Sequence, residues 1–169
     1  MHKNIIKSAM SNGLIMGGLL SLKFIFSTQK SGMLSYLAFA ISISIIVLLY
    51  RMAIRFRENE GGGSIEYGQA FSFIFRIYLY GAIISSLVML IYTKFIDTVL
   101  LDMLLDQNLK MYETFKLKVD DSLYNTFNNI YKPAPYALVN VFGSTIVGTF
   151  WGLILAAFVK KEKSIFDEK

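Results

Sequence analysis

The fold is decided by twenty consecutive residues without a charge, Ser31-Gly-Met-Leu-Ser-Tyr-Leu-Ala-Phe-Ala-Ile-Ser-Ile-Ser-Ile-Ile-Val-Leu-Leu-Tyr50. An α-helix rises ~1.5 Å per residue, so about twenty apolar residues cross the ~30 Å hydrocarbon core of a bilayer. A helix buried in a soluble bundle would show a polar stripe at every third or fourth position. Residues 41–50 contain only Ser42 and Ser44 as polar residues. The stretch therefore predicts a helix that spans a membrane.

Three more apolar runs have the spanning length, and they lie at residues 8–26, 76–94 and 133–159. Their charged residues lie close enough to a run's end for the side chains to reach the headgroups. The whole chain is 54% apolar and 17% charged, whereas about one quarter of the residues in soluble domains are charged. We predict an all-α fold, an integral membrane four-helix bundle.

The first run also resembles a cleaved signal peptide, because Lys3 and Lys7 precede it. Its length and the lack of a small-x-small cleavage site favour a retained span instead. The four predicted spans belong to a single membrane domain of residues 1–169, at about residues 6–27, 32–50, 70–95 and 135–159.

The side chains that usually carry catalysis or bind metals are scarce in this chain. It has no Cys and one His, His2, which excludes cysteine-ligated metal sites and disfavours histidine-based acid–base chemistry. No Asp or Glu lies inside an apolar run, which argues against a carboxylate-coupled pump. We therefore expect no enzyme activity, no cofactor and no metal site. The net charge of +5 suits a protein with a basic cytoplasmic side, so we expect no nucleic-acid binding.

The distribution of Lys and Arg predicts how the spans are threaded. The short flanks on one side of the spans carry Arg51, Arg55 and Arg57 together with the lysines near both chain ends. Most lysines of the other side lie in the long segment at 97–132, which also carries six acidic residues. The positive-inside rule gives most weight to short flanks. We predict a bacterial cytoplasmic (inner) membrane protein with both termini in the cytoplasm and the 97–132 segment outside.

The outer segment at 97–132 carries an amphipathic helical pattern, because its apolar residues advance in steps of three or four. It forms one helix, or two helices broken near Asp120 and Asp121. The apolar stripe either lies across the bundle end or the membrane surface, or it contacts a second copy or a membrane partner protein. The candidate partner contacts are Leu105, Leu109, Tyr112, Phe115, Val119, Leu123 and Phe127.

Small residues recur every four positions in the first and fourth runs. In lipid, helices associate largely by close backbone approach over such residues. We expect the first and fourth helices to pack closely against a neighbour, with each other as the candidate pair, either within one chain or in a dimer. The candidate packing residues are Gly13, Gly17 and Ser21 in the first run, Gly81 and Ser85 in the third, and Asn140, Ser144, Gly148 and Gly152 in the fourth.

The connection between the second and third spans contains three consecutive glycines at residues 61–63, which break a helix and predict a turn. Ser64 follows them and is a candidate N-cap for the next helix. A phosphate-binding loop would need a Lys directly after the last glycine and then Ser or Thr, whereas Ser64 and Ile65 stand at these two positions. We interpret the glycines as a hinge between two helices.

The order of these features resembles a known family. The resemblance rests on Gly13-Leu-Ile-Met-Gly17, the basic exit at 51–57, Ser64-Ile-Glu-Tyr-Gly-Gln-Ala-Phe71, Ile91-Tyr-Thr-Lys-Phe-Ile-Asp97 and the final Lys160-Lys161. A bacterial family of four-helix membrane proteins, catalogued as domain of unknown function 4199, shares this order over almost the whole chain. The resemblance implies a four-span fold and brings no activity.

The function that these patterns favour is a non-enzymatic, membrane-embedded binding or scaffold protein that acts through its outer segment. The alternative is a small transporter or a pore subunit. The expected partners are the lipid bilayer and either a second copy or another membrane protein.

Overall fold

The computed structural model describes residues 2–29 and 31–162, with side chains from Ile5 onward. The described chain folds into six α-helices, α1 (His2–Thr28), α2 (Gly32–Glu60), α3 (Tyr67–Phe95), α4 (Leu100–Thr114), α5 (Asp121–Ile130) and α6 (Pro133–Val159). The β-structure within these residues is a single isolated bridge between Ile65 and Lys161.

Four of the described helices, α1, α2, α3 and α6, are long and apolar enough to cross a membrane. The prediction of an all-α membrane protein with four spans is confirmed. Each helix extends beyond its predicted span at one or both ends, and α2 does so most, since it continues through the basic residues to Glu60. The reason is local, because no Gly or Pro interrupts the chain between Tyr50 and Gly61.

Large apolar side chains on the outside of the bundle explain why it needs lipid. In water such a continuous exposed surface would be unfavourable, whereas in a bilayer it contacts acyl chains. Exposed large apolar side chains occur on both α2 and α6, among them Tyr36, Phe39, Ile43, Phe142, Ile146 and Phe150.

Helix α3 lies at the centre of the bundle, and α1 and α6 both pack along it. Both helices pack their small residues closely against a neighbour, as expected, but that neighbour is α3 for each of them and not the candidate pair of α1 with α6. Helix α1 runs parallel to α3, and α6 runs antiparallel. Helix α2 packs mainly on α1 and makes fewer contacts with α3 and α6.

The contact between α1 and α3 is close because glycines replace side chains on both helices. A Cβ atom added to Gly13 would lie 2.6 Å from Tyr80 Cβ, and one added to Gly17 would lie 2.7 Å from Ile84 Cβ. In return, Gly81 of α3 accommodates Met16, whose Cβ would lie 3.1 Å from an added methyl group. An added Cβ atom at Gly13 or Gly17 would lie closer to its neighbour than real Cβ atoms do, so these two positions require glycine, whereas at Gly81 the Met16 side chain would have to shift by a few tenths of an ångström.

The contact between α3 and α6 uses the same device. Gly148 lies against the Tyr78 side chain, whose Cβ would be 2.6 Å from an added methyl group. A Cβ atom added to Gly152 would lie 3.4 Å from the Phe71 ring, which is an ordinary van der Waals distance. Nearer the other end of α6, Ser86 Oγ donates a 2.9 Å hydrogen bond to Asn140 Oδ1. Asn140 therefore links α6 to α3.

The remaining predicted packing residues are serines. Ser21 is buried and donates a 2.7 Å hydrogen bond to the Gly17 carbonyl of its own helix, which removes its hydroxyl from contact with lipid. Ser85 is buried on α3. Ser144 is half-buried and lines a cleft between α1 and α6.

Helices α2, α3 and α6 contact one another at the end of the bundle that contains the glycine turn, which we call the glycine-turn end. The rings of Phe56 and Phe73 stack with centroids 4.1 Å apart. Arg57 Nη1 donates a 3.0 Å hydrogen bond to the Val159 carbonyl at the C-terminus of α6. Ile65 and Lys161 exchange two backbone hydrogen bonds of 2.9 and 3.0 Å. This end is closed by contacts that involve three helices.

The turn itself follows the glycine prediction, because Gly62 and Gly63 have φ angles of 60° and 81°, where only glycine is unstrained. The expectation for Ser64 is wrong. The N-cap of α3 is Glu66, and the Ser64 hydroxyl donates instead to the Gly61 carbonyl at 3.3 Å. Ser64 lies too early because Ile65 must first pair with Lys161.

Candidate functional site: the α4–α5 hairpin

The segment between α3 and α6 begins at the end of the bundle opposite the glycine turn. We call it the hairpin end, after the helix pair α4–α5 that follows there. Helix α4 starts there, and its first turns pack down onto the protein, with Leu100, Leu101 and Leu105 buried. Asp102 lies in the first turn, where a negative charge interacts favourably with the helix dipole. The base of α4 is therefore anchored, while its later turns become exposed.

Helix α4 ends at a Schellman motif built on a lysine. Lys116 has a φ angle of 55°, its N–H bonds the Glu113 carbonyl at 2.9 Å, and the Leu117 N–H bonds the Tyr112 carbonyl at 3.0 Å. Glycine is usual at this left-handed position, because other residues lose about 1–2 kcal/mol there. The end of α4 therefore cannot be predicted from the position of a glycine or a proline.

Helix α5 starts at a side-chain cap. Asp120 Oδ1 accepts a 2.8 Å hydrogen bond from the Leu123 N–H, which satisfies one of the free donors at the start of the helix. The segment thus contains two helices, the second of the two arrangements that the sequence allowed, with the break at residues 115–120.

The two helices fold back towards each other. The rings of Tyr112 on α4 and Phe127 on α5 meet edge to face with centroids 5.4 Å apart. At the base, the Tyr131 ring stacks on Tyr136 of α6 at 5.4 Å. Burial, with a smaller contribution from Tyr112, raises the pKa of the Tyr131 phenol above its ordinary value.

The structure divides the predicted partner contacts into three groups. Leu105 is buried at the base, and Phe115 is 69% exposed. The others are half-buried, and they are Leu109, Tyr112, Val119, Leu123 and Phe127. Part of the amphipathic stripe is therefore used within the hairpin, where Tyr112 and Phe127 contact each other. Whether any of these residues contacts a partner stays a prediction.

The largest exposed apolar group at the turn lies partly off the predicted stripe. Met111 and Phe115 are one helical turn apart on the outer face of α4, and Leu117 follows in the turn. We call these three residues the tip surface. Leu117 lies beyond the end of α4, where the helical spacing of the sequence pattern no longer applies, and Met111 lies within α4 at a position outside that spacing.

Charges of both signs surround the tip surface. Between residues 110 and 121 the chain places three lysines and three acidic residues, which cancel at neutral pH. These are Lys110, Glu113, Lys116, Lys118, Asp120 and Asp121. A neutral, mixed-charge rim around apolar side chains differs from a polybasic lipid-binding segment, which needs an excess of Lys and Arg.

The opposite end of the bundle has a polar recess of about 560 Å³ beside the glycine turn. Its wall includes Glu60, Glu66, Lys161 and Glu162. Within the described residues no group of three or more His, Cys, Asp or Glu side chains is arranged to hold a metal ion. The recess is open and of mixed charge, and we assign no chemistry to it.

The matches to known proteins agree with this architecture. A model of the family described as "Protein of unknown function (DUF4199)" matches residues 11–161. Comparisons with curated proteins and with solved structures find no match. The matched range runs from within α1 to the residue that pairs with Ile65, and it includes the hairpin. A membrane protein with four candidate spans and no assigned activity, this chain belongs to the DUF4199 family.

Proposed function

We propose that the protein is a membrane-embedded binding protein whose α4–α5 hairpin contacts a partner protein on the outer side of a bacterial cytoplasmic membrane. The action is binding, with no chemical step. The single observation that carries the proposal is the tip surface, where Phe115 is 69% and Leu117 is 54% exposed. These side chains lie in the segment between α3 and α6, outside the four candidate spans.

The composition of the tip surface supports a protein partner. Aromatic residues and Met are enriched in the cores of protein interfaces, and charged residues surround such cores. The tip surface has Met111 and Phe115 side by side, and the surrounding charges cancel. An anionic membrane would be recognised by net positive charge, which this rim lacks.

The anchoring of the hairpin also supports the proposal. Its base is held by Leu101, Leu105 and the Tyr131–Tyr136 stack, whereas its turn is free of the bundle. A preformed arm loses less conformational entropy on binding than a disordered segment would. The sidedness comes from the cluster of arginines at the end of α2, which the positive-inside rule places in the cytoplasm.

The test is site-specific photo-cross-linking of the full-length protein in its native membranes. A photoreactive phenylalanine analogue replaces Phe115 or Met111, and a matched control replaces Phe39, which is equally exposed but lies within α2. We expect one and the same identified protein to be captured from positions 115 and 111 and not from position 39. The yield from position 111 should fall several-fold when Leu117 is changed to Ala.

Capture of lipid alone at positions 111 and 115 would overturn the proposal, and so would capture of different proteins at the two positions. Capture of a second copy of this chain would mean that the hairpin forms a homo-oligomer and does not contact a different protein. Tyr112 and Phe127 are unsuitable probe positions, since their rings contact each other.

A further inference from the structure

A second feature, separate from the hairpin, is a cleft between α1 and α6 in the half of the bundle near the hairpin end. It forms because both helices pack on α3 rather than on each other. Its volume is about 410 Å³, and we call it the Lys23 cleft. Its wall contains five residues with polar groups, Lys23, Tyr78, Tyr136, Asn140 and Ser144. Gly143 and three aliphatic side chains complete the wall.

The cleft carries a positive charge that its own helices do not neutralise. Helices α1, α3 and α6 contain no Asp or Glu. Among the described residues, no carboxylate forms an ion pair with the Lys23 ammonium, which is half-buried. Lys23 lies five residues before the end of α1, or ~7 Å along the helix. A cation at that depth is costly unless it reaches water or meets an anion.

The other polar groups of the cleft are suited to donate hydrogen bonds. Asn140 Oδ1 accepts a hydrogen bond from Ser86 Oγ at 2.9 Å, and the Asn140 amide group also carries two N–H donors. Tyr136 and Ser144 contribute hydroxyl groups. One cation and several donors, without a carboxylate, match the hydrogen-bonding needs of a phosphate group.

The remainder of the wall is apolar and opens sideways. Val139 and Val147 are exposed at the edge of the cleft, towards the acyl chains of the bilayer. Gly143 leaves room, because a Cβ atom added there would have no neighbour within 4 Å. A ligand with a charged head and an apolar tail would therefore fit in a single orientation, with its head at Lys23 and its tail along the valines.

We propose that the Lys23 cleft binds a phosphate-bearing anion, with the phosphodiester headgroup of a membrane phospholipid as its main source. The tail of the lipid lies on the aliphatic wall, and Lys23, Asn140 and Ser144 contact the phosphate. A free phosphate from solution has the same chemistry and would bind the same groups. This site is independent of the partner-binding role proposed for the hairpin.

The test compares lipid binding to four variants of the full-length protein in a non-ionic detergent, measured by native mass spectrometry with added dioleoylphosphatidylglycerol. Lys23→Met removes the charge, and Gly143→Leu fills the cleft. The matched controls are Lys94→Met, at an exposed lysine over the Phe95 ring, and Gly18→Leu, at an exposed glycine with open space around it. Thermal unfolding checks that each variant is folded.

We expect Lys23→Met to weaken phosphatidylglycerol binding about tenfold or more, the loss typical of one hydrogen bond to a charged group. Gly143→Leu should also weaken binding, because its side chain occupies the cleft, and each control should leave binding unchanged. Dioleoylglycerol, which lacks the phosphate, should bind equally to wild type and Lys23→Met. If inorganic phosphate stabilises wild type but not Lys23→Met while the phospholipid binds all variants alike, the cleft takes its anion from solution. If neither probe distinguishes Lys23→Met from wild type, the proposal is overturned, whatever Gly143→Leu does.

Discussion

The two ends of the bundle differ in how they are held together. At the glycine-turn end, α2, α3 and α6 are held together by three contacts. They are the stacked rings of Phe56 and Phe73, the hydrogen bond from the Arg57 guanidinium to the Val159 carbonyl, and the backbone bridge between Ile65 and Lys161. At the hairpin end, α1 and α3 meet through Phe24 and Tyr92, with ring centroids 5.5 Å apart. The Gln29 amide donates a 3.3 Å hydrogen bond to the Tyr92 hydroxyl at the same place. The hairpin lies beyond that contact, and the Lys23 cleft lies between α1 and α6 in the same half of the bundle.

The difference separates an end that is held by contacts between helices from an end that carries the two proposed binding surfaces. The closed end buries Phe56 and Phe73 against each other and uses Arg57 and the backbone of Ile65 and Lys161 in contacts within the protein. The open end exposes apolar side chains at the hairpin and hydrogen-bond donors in the cleft. The three predictions below test this contrast, because each compares a position at a tight contact with a matched position elsewhere.

The largest effect is expected for Phe56→Ala at the closed end. Phe56 is 3% exposed and stacks on Phe73, so its removal leaves a cavity and should lower the free energy of unfolding by about 3 kcal/mol or more. Phe115→Ala removes the same atoms from an exposed position and should change it by less than about 0.5 kcal/mol. Denaturant titration in detergent micelles measures both. Equal losses for the two variants would contradict the contrast between the ends.

A middle-sized effect is expected where α6 crosses α3. Gly148→Ala places a methyl group against Tyr78, and overpacking of this kind lowers the free energy of unfolding by about 1–3 kcal/mol. Gly143→Ala, five residues earlier on the same helix, meets open space and should cause no loss. The same titration measures both variants. If Gly143→Ala proved as harmful as Gly148→Ala, glycine would be required along α6 for a reason other than contact with α3.

The smallest effect is expected at the cap of α5. Asp120→Ala removes the acceptor of the Leu123 N–H and should reduce the local stability of the helix by about 1 kcal/mol. Amide hydrogen exchange should become faster in α5 and stay unchanged in α3. Asp121→Ala removes the same charge but not the cap, and it should accelerate exchange less. Faster exchange throughout the bundle in Asp120→Ala would contradict this expectation, because it would mean that the stability of the spans depends on the hairpin.

Features that depend on neighbouring residues in the chain were predictable. The spans follow from the length and composition of each apolar run, and the glycine turn follows from three consecutive residues with unusual conformational freedom. The helical character of the hairpin follows from the spacing of residues such as Leu101 and Leu105. Its break was harder to predict, because Lys116 adopts a left-handed conformation that only the assembled turn enforces.

Features that depend on which helices become neighbours were not predictable. A row of small residues on α6 indicates that something approaches closely, but the same row would serve α1 as well as α3. Asn140 was a candidate for helix packing, and the structure adds its partner, Ser86. Lys23 was interpreted only as a residue that reaches the headgroups, since nothing in the sequence places it opposite Asn140 and Ser144 across a cleft.

The sequence by itself determined that this chain lies in a membrane as four helices with an amphipathic segment between the last two. Hydrogen bonding and transfer from water act residue by residue, so their outcome can be predicted along a single chain. Only the tertiary structure decided that α3 is the centre, that the hairpin turns its stripe inward and leaves Phe115 outside, and that α1 and α6 enclose a cleft. Shape complementarity between surfaces selects these arrangements, and it exists only once the helices have met.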